Sequence, residues 1–396
     1  MVLILLAGFA AFSAYQFSRF SHLRVQNPVR AHAERPDDAL ALAKVVDKRV
    51  AEAQEIRVND SENMQALRSL VAFPLSRSSL RIIGFGFADA GDQAKAEEAM
   101  ILSNRVSRRD AWAQLWFIEQ AAKVGDYQAA VDHYHAALSV KPRLEDVLIP
   151  PLVQTLSERE ARQAIRPYLA SRAPWSRAFV AHASANADPV DLLDLIGSNE
   201  DIFTVEENAQ AATTLIYRLA AIGRWDKAMA LASRIWSDFG VDEFSAPGVT
   251  RASIDERLGS LAWMLAREGG IDSRTMEDGK VEVTMSPLSR GMIIAREFPV
   301  RPNSDYRLSQ RVNYSGSGAK PRLWWQGECI GEANGNRKLI WEQRLPQDQT
   351  IGTYSSEIEA DQNCNLLRIS ILGVGPESQL PATVILSNIG FEPITR

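Results

Sequence analysis

The helical half of this chain is decided by residues 111–142, which read AWAQLWFIEQAAKVGDYQAAVDHYHAALSVKP. Apolar residues recur at helical spacing on both sides of Gly125, and this pattern predicts two helices joined by a tight turn. Gly125 permits the positive backbone angle of such a turn, and Pro142 closes the second helix. Small alanines let the helices approach while aromatic residues fill the space between successive pairs. The residues expected inside are Phe117, Ala121, Tyr127, Ala130, Tyr134 and Ala137.

A Gly-Asp pair marks the same kind of turn earlier in the chain, because Gly91-Asp92 precedes Gly125-Asp126 by 34 residues. A third turn is predicted at Gly223, where the flanking apolar residues take matching positions. A period of 34 residues is the sequence signature of a tetratricopeptide repeat (TPR). The chain therefore resembles the tetratricopeptide family over residues 77–142 and, more weakly, over residues 209–238.

Residues 37–240 keep helical spacing throughout, although the stretch before the third turn departs from the repeat pattern. We therefore expect an irregular, TPR-like α-solenoid in this region. In the tetratricopeptide family such a solenoid presents a concave groove, so the resemblance implies binding of a peptide or a protein partner. The alternative is that the repeats serve only as a scaffold or spacer.

After Gly240 the pattern changes to short runs rich in β-branched residues and separated by turn residues. Strands are predicted over residues 280–285, 292–298, 305–312, 321–326, 338–344, 357–360, 364–372 and 383–391. Short strands joined by Gly, Pro, Asn and Asp turns are typical of an antiparallel β-sandwich or jelly roll. The predicted fold class is multidomain α plus β, with an apolar anchor helix, a helical domain over 37–240 and a β-sandwich over 250–396.

Within the second domain, Phe298-Pro299-Val300, Pro302 and then Tyr306-Arg307-Leu308 follow the order strand, proline turn, strand. With a closing strand at 383–391, this order resembles the galactose-binding-like jelly rolls of carbohydrate-binding modules. The resemblance covers residues 270–396 and implies affinity for a glycan. With the helical repeats included, the whole chain resembles tetratricopeptide proteins of Gram-negative envelopes that are thought to accompany polysaccharide export.

Sugar-binding modules stack pyranose rings on exposed aromatic side chains and satisfy the hydroxyl groups with polar ones. Trp324 and Trp325 are adjacent on a predicted strand, so their side chains point to opposite faces, one to the core and one outward. The candidate glycan contacts are Trp324, Trp325, Tyr314, Arg322 and Gln326. Trp341 and Tyr354 are further candidates, but Leu339 shares a face with Trp341 and favours a core position for it. Core packing is the competing interpretation for each aromatic residue.

Cys329 and Cys364 are the two cysteines of the chain, 35 positions apart and both in the predicted β-sandwich. Their placement predicts a disulfide between neighbouring strands, which would require an oxidising compartment such as the periplasm. The alternative is two unrelated buried thiols. No metal site is predicted, because no histidine lies in this domain and two cysteines alone are too few ligands.

Residues 1–18 are predominantly apolar, and Arg19 and Arg24 follow them. A run of this length is at the lower limit for crossing a bilayer. We predict a signal anchor, with a cleaved signal peptide or a buried helix as alternatives, and then a linker over residues 19–36. The predicted location is the cell inner membrane, with a single-pass anchor and the bulk of the chain in the periplasm. The positive charge after the apolar run conflicts with that orientation.

The net charge of −5 and the lack of any long run of like charges exclude the charge pattern of a nucleic-acid-binding protein. The sequence contains no glycine-rich phosphate loop and no Gly-x-Ser-x-Gly nucleophile motif. His133 and His135 lie two positions apart on a predicted helix, so they occupy different faces and cannot share a metal ion. No catalytic residue and no cofactor are predicted, and we expect a protein that is not an enzyme.

These patterns together predict a non-catalytic envelope scaffold. Its repeats would bind a protein partner while its sandwich contacts a glycan or a second protein, in polysaccharide export or assembly. A hypothesis of a different class is a protein–protein assembly adaptor with a purely structural sandwich and no sugar affinity. A third hypothesis, a polysaccharide-modifying enzyme, has no residue pattern in its favour.

Overall fold

The computed structural model describes residues 2–53, 57–197, 200–203, 208–246, 248–276, 278–315, 319–330, 337–347 and 350–394. The chain forms two compact units. The first comprises Met1–Leu152 and Glu158–Trp175, and the second comprises Val153–Ser157 and Ser176–Arg396. The sequence led us to expect a division between residues 240 and 250. The second unit is therefore larger than the predicted β-sandwich, because it also contains helical segments.

The first unit is built from α-helices joined by short turns, and each helix buries an apolar face, as the helical spacing in the sequence predicts. The helices are α1 (Val2–Gln26), α2 (Pro28–Glu34), α3 (Ala39–Ala53), α4 (Asp60–Ala72), α5 (Arg77–Asp89), α6 (Gln93–Val106), α7 (Ala111–Lys123), α8 (Tyr127–Val140), α9 (Glu145–Gln154) and α10 (Arg159–Ala170). The prediction of a helical domain in this part of the chain is confirmed.

Two successive helix pairs repeat with the predicted period. α5 and α7 begin 34 residues apart, and so do α6 and α8. Gly91 and Gly125 follow the first helix of each pair with φ values of +82° and +71°, which glycine adopts without strain. The next residue caps the second helix, since the Asp92 and Asp126 carboxylates each accept a hydrogen bond from a backbone N–H of its first turn. A helical repeat is thereby confirmed, whereas its assignment to the tetratricopeptide family is not.

The helix pairs of the first unit pack closely around a shared core. A methyl group added at Gly84 would stand 3.1 Å from the side chain of Met100, so this glycine lets α5 approach α6. Ile82, Phe85 and Trp116 are buried in the same cluster. Removal of these apolar surfaces from water is the main force that holds such a stack together.

The N-terminal helix is longer than its apolar run. α1 extends to Gln26 and α2 follows at Pro28, so the predicted linker over residues 19–36 is mostly helical. Phe20 of α1 packs against Ala31 and Ala41 in a small core. The second half of α1 therefore belongs to a packed helical cluster.

The predicted membrane anchor is corrected by this arrangement. Among the residues that the structure describes, no helix combines the length and the apolar character that crossing a bilayer requires. Arg19, His22 and Arg24 interrupt the second half of α1, and Arg24 forms an ion pair with Asp38 at 2.5 Å. The prediction of a single-pass inner-membrane anchor is therefore wrong.

The second unit begins with helices and continues as a β-sandwich. Its helices are α11 (Ser176–Asn186), α12 (Pro189–Ile196), α13 (Ala209–Ala221), α14 (Trp225–Ile235) and α15 (Val241–Ser245). The third predicted turn lies between α13 and α14, where Gly223 has a φ of +78°. A short 3-10 helix, Glu256–Leu261, precedes the first strand.

Two antiparallel sheets form the sandwich, as predicted. Its strands are β1 (Met264–Leu265), β2 (Ile271–Thr275), β3 (Val281–Met285), β4 (Arg290–Pro299), β5 (Asp305–Ser315), β6 (Arg322–Ile330), β7 (Arg337–Arg344), β8 (Ile351–Glu359), β9 (Leu366–Val374) and β10 (Ala382–Pro393). In the described part of the chain, sheet A has the strand order β1-β4-β9-β6-β7 and sheet B has the order β2-β3-β10-β5-β8.

The inner faces of the two sheets share one apolar core, to which Val283, Ile369 and Val384 contribute. Cys329 and Cys364 are joined by a disulfide, with Cα atoms 5.5 Å apart. Cys329 lies near the end of β6, and Cys364 lies just before β9, its neighbour in sheet A. The bond therefore ties two adjacent central strands together at one end.

Candidate functional site

Trp324 lies on the outer face of sheet A. On β6, Leu323 and Trp325 are buried, whereas the alternate residues Arg322, Trp324 and Gln326 are partly or fully exposed. Trp325 is 2% exposed and belongs to the sandwich core, while Trp324 is half-buried. Successive side chains of a strand point to opposite faces. Trp325 therefore points into the core and Trp324 points to the outer face of the sheet.

Residues on the strands beside β6 make Trp324 the centre of a groove. Leu372 of β9 lies directly opposite Trp324 on one side, and Arg344 of β7 lies opposite it on the other. The groove has a volume of about 620 Å³. The side chains that line it around the indole are those of Arg290, Arg322, Gln326, Glu342, Arg344 and Leu372. An aromatic ring and an aliphatic floor are thus framed by hydrogen-bonding groups.

One wall of the groove is held by hydrogen bonds between residues 320–323, where β6 begins, and residues 345–347, which follow β7. The side-chain amide of Gln347 donates to the carbonyl oxygens of Pro321 at 2.8 Å and Lys320 at 3.2 Å. The Lys320 ammonium group donates in return to the carbonyl oxygen of Gln347 at 2.7 Å. The backbone N–H of Leu345 donates to the carbonyl oxygen of Leu323 at 2.9 Å. The protein's own contacts therefore form this wall.

The opposite end of the same sheet face is covered. Glu297 of β4 is on the outer side of sheet A, yet it is 1% exposed. The Ser260 hydroxyl donates to Glu297 Oε2 at 2.7 Å, and Arg368 pairs with Oε1 at 3.3 Å. The Tyr217 hydroxyl of α13 lies beside this carboxylate. Burial, together with the nearby negative charge, raises the pKa of Tyr217 to about 12. The face is open at Trp324 and closed at Glu297.

Two of the predicted glycan contacts lie in the core instead. Trp325 and Tyr314 are each 2% exposed, and the Tyr314 hydroxyl donates to the carbonyl oxygen of Pro346 at 3.4 Å. Burial raises the pKa of Tyr314 to about 12. Neither ring has a face free for stacking, because strand alternation turns both inward. Of the five candidates, Trp324, Arg322 and Gln326 come together in the groove.

The two further aromatic candidates are also packed inward. Trp341 and Tyr354 are partly buried and lie against the apolar core of the sandwich. Trp341 lies opposite Gly327, which has no side chain and so leaves room for the indole ring. A Cβ atom added at Gly327 would stand 3.5 Å from a ring carbon of Trp341. Both residues contribute to the sandwich interior.

Sequence reasoning missed a buried arginine, Arg296. Its Nε donates to the carbonyl oxygen of Leu261 at 2.9 Å, and its Nη2 donates to that of Phe244 at 3.2 Å. Leu261 ends the 3-10 helix and Phe244 lies in the last turn of α15, so Arg296 holds two helix ends against the sandwich. Burial lowers the pKa of Arg296 to about 10, which leaves the guanidinium charged at neutral pH. Its signal in the sequence is the pair Arg296-Glu297 inside an otherwise apolar run.

A depression beside the other sheet is less suited to a sugar. A larger depression of about 1120 Å³ adjoins sheet B, and its described lining includes Arg251, Asp278, Lys280 and Asn388 but no aromatic ring. It therefore offers no surface on which a sugar could stack. Within the described ranges, no group of three or more His, Cys, Asp or Glu side chains could hold a metal ion.

No protein-family model matches the chain, and no curated protein matches it. Solved structures of carbohydrate-binding modules do match it. A family 4 module shares 12% identity at a TM-score of 0.29, with 40% of this chain and 100% of that chain covered. A family 16 module shares 11% identity at 0.26, with 37% and 98% covered. The CBM22-1 xylan-binding domain from Paenibacillus barcinonensis shares 13% at 0.26, with 39% and 92% covered. This likeness is one of fold only.

Proposed function

We propose that the β-sandwich binds a glycan in the groove around Trp324. The observation that carries this proposal is a half-buried tryptophan at the centre of an open groove whose edges are polar. A pyranose ring has an apolar face of C–H groups and a rim of hydroxyl groups, so it needs a flat apolar surface with hydrogen-bonding groups around it. Trp324 supplies the surface, and Gln326, Glu342 and Arg344 supply the polar rim.

Each lining group has a defined part in this proposal. The Trp324 indole stacks on a sugar ring, and Leu372 extends the apolar floor beside it. Gln326 both donates and accepts hydrogen bonds, Glu342 accepts them and Arg344 donates them, so hydroxyl groups of either orientation can be satisfied. The bonded wall at Gln347 requires no rearrangement to form, which reduces the entropy lost on binding.

Affinity electrophoresis of the full chain in gels containing a panel of soluble polysaccharides tests this proposal. Trp324→Ala should weaken retardation by at least about tenfold in Kd, which corresponds to about 1.4 kcal/mol. Trp324→Phe should retain part of the affinity, because a ring face remains. Trp112→Ala, at another half-buried tryptophan, is the matched control and should bind like the parent chain. Lack of binding to every polysaccharide, or binding that Trp324→Ala leaves unchanged, would contradict the proposal.

We further propose that the chain is a non-catalytic adaptor in the assembly or export of a polysaccharide. In this proposal the first unit binds a protein partner. Support for the partner comes from apolar residues exposed where α4 meets α5: Val71 is 85% exposed, Phe73 66% and Leu75 79%. Exposed apolar patches of this kind are typical of protein interaction sites. If no glycan binds, the same patch favours the second candidate function, an assembly adaptor with a purely structural sandwich.

A further inference from the structure

The groove around Trp324 is rich in positive charge. Arg290 of β4, Arg322 of β6 and Arg344 of β7 line it, and Glu342 is the one acidic residue among its described lining residues. The chain as a whole carries a net charge of −5. The groove is therefore positively charged although the protein as a whole is negatively charged. A cluster of one sign in a concave surface attracts ligands of the opposite sign.

Two of these arginines have no acidic partner among the described residues. Arg322 pairs with Glu377 at 3.2 Å, with both side chains largely exposed. Within the part of the chain that the structure describes, neither Arg290 nor Arg344 has a carboxylate within ion-pairing distance. Both side chains are exposed, so their guanidinium groups are available to a ligand. Guanidinium groups form charge-assisted, two-point hydrogen bonds with carboxylate and similar oxyanions.

The arginines lie around the Trp324 indole on which the sugar ring is proposed to stack. Arg344 is directly opposite Trp324 on the neighbouring strand, so it stands beside a sugar ring that lies on the indole. Arg290 and Arg322 both lie opposite Val374, one on each side of β9. Neighbouring strands are about 4.8 Å apart, so their backbones are separated by about 10 Å across the groove. An anionic group on the stacked sugar, and others along the chain, would each meet a guanidinium.

We infer that the ligand of this groove is an anionic glycan, whose sugars carry carboxylate or sulfate groups. The inference rests on the proposed function, because it specifies the class of glycan that the Trp324 groove binds. Stacking on Trp324 holds the ring, and Arg290 and Arg344 select the charged polymer over a neutral one. The contribution of the arginines is electrostatic and therefore sensitive to salt, since the screening length falls from about 10 Å at 0.1 M to about 3 Å at 1 M.

Binding of the full chain to matched pairs of polymers tests the inference. The pairs are polygalacturonate with its carboxyl-reduced form, and dextran sulfate with dextran; within each pair the charged groups are the main difference. At least one charged polymer should bind about tenfold or more tightly than its neutral counterpart. The pair that shows the preference identifies carboxylate or sulfate as the recognised group. The preference should shrink as the salt concentration rises.

Arginine variants locate that preference in the groove. The double variant Arg290→Gln, Arg344→Gln should lose most of it, because its affinity for the charged polymer should fall by a much larger factor than its affinity for the neutral one. Arg311→Gln removes one positive charge from an exposed position on β5 in sheet B and is the matched control, which should leave the preference intact. Because Arg290 and Arg344 are exposed and make no ion pair with any residue that the structure describes, the double variant should unfold at the same urea concentration as the parent.

The outcomes separate this inference from the proposed function. Equal binding of charged and neutral polymers, with affinity that still depends on Trp324, overturns the anionic ligand and leaves the glycan groove standing. A preference for charged polymers that survives in the double arginine variant also overturns the inference, because the anionic groups would then bind to a different part of the protein. If no polymer binds, or if Trp324→Ala changes nothing, the proposed function fails and the inference fails with it.

Discussion

At the residue scale, two adjacent tryptophans have different environments although their chemistry is the same. Trp325 fills the interior between the sheets, whereas Trp324 lies half-buried on the outside of sheet A. The sequence predicts that one of the pair faces inward, because side chains of a strand alternate. It does not say which one, since that depends on which face of the sheet meets the other sheet.

This difference predicts unequal effects on stability. Trp325→Ala should lower the free energy of unfolding by about 3–5 kcal/mol, because it removes a large buried side chain and leaves a cavity. Trp324→Ala should lower it by less than about 1 kcal/mol, because its ring is only partly removed from water. Urea unfolding of the two variants, followed by circular dichroism, measures both values. A large loss of stability in Trp324→Ala would place that ring in the core and remove the basis of the binding test.

At the scale of the element, local sequence signals identified the helix pairs well. Gly91-Asp92 and Gly125-Asp126 were predicted as turns from their spacing and because glycine accepts a positive φ. The structure adds that each aspartate caps the next helix, and both properties depend on the nearest few residues. The strand β2 was missed. Its inward residues are Ile271 and Ser273, and a buried serine breaks the apolar alternation by which strands are recognised. The Ser273 hydroxyl is satisfied by the carbonyl oxygen of Ile293 at 3.0 Å, a contact that only folding creates.

A β-bulge changed another expectation at this scale. Leu339 and Trp341 were expected to share a face because they are two positions apart. In the structure, Trp341 lies opposite Gly327 and Leu339 lies opposite the next residue, Glu328, because the β6–β7 register shifts between Gly327 and Glu328. Leu339 is consequently 50% exposed. Trp341 packs against the sandwich core, as expected, but it does not share that position with Leu339.

The bond between Cys329 and Cys364 leads to a prediction for the two central strands of sheet A. Closure of a loop with a sequence separation of 35 should stabilise the fold by roughly 3–4 kcal/mol, because it restricts the unfolded chain. Reduction with dithiothreitol, or the double variant Cys329→Ser, Cys364→Ser, should lower the urea midpoint of the second unit accordingly. Thiol titration of the denatured, unreduced chain should find no free cysteine. Two reactive thiols would contradict the disulfide and favour the buried-thiol alternative.

At the scale of the whole molecule, the helices after Ser176 belong to the same compact unit as the sandwich. The change in amino-acid pattern near residue 240 marks the passage from helices to strands within that unit. The Ser260 hydroxyl donates to Glu297 on β4, and Tyr217 of α13 lies beside the same carboxylate. Arg296, which precedes Glu297 in the chain, holds the ends of two short helices. Helices and sheet are therefore joined through buried polar groups.

A single substitution should reveal this joint unit. Glu297→Ala leaves Arg368, Ser260 and Tyr217 without their buried partner and should lower the free energy of unfolding by about 3 kcal/mol. Hydrogen exchange should then increase in α13 as well as in β4, because both lose the same contact. Glu357→Ala is the control: its exposed ion pair with Arg307 on sheet B should contribute less than about 1 kcal/mol. Faster exchange confined to β4 would contradict a cooperative unit that includes α13.

The amino-acid sequence by itself determined the succession of helical repeats and β-sandwich, the 34-residue frame and the alternation of β6. These features depend on neighbours within a few positions, so side-chain type and spacing are sufficient to predict them. The tertiary structure decided which tryptophan faces the groove, which arginines stand beside it and which helices join the sandwich. Those outcomes depend on strand register and on contacts between residues far apart in the chain, such as Tyr217 with Glu297, and no local pattern contains that information.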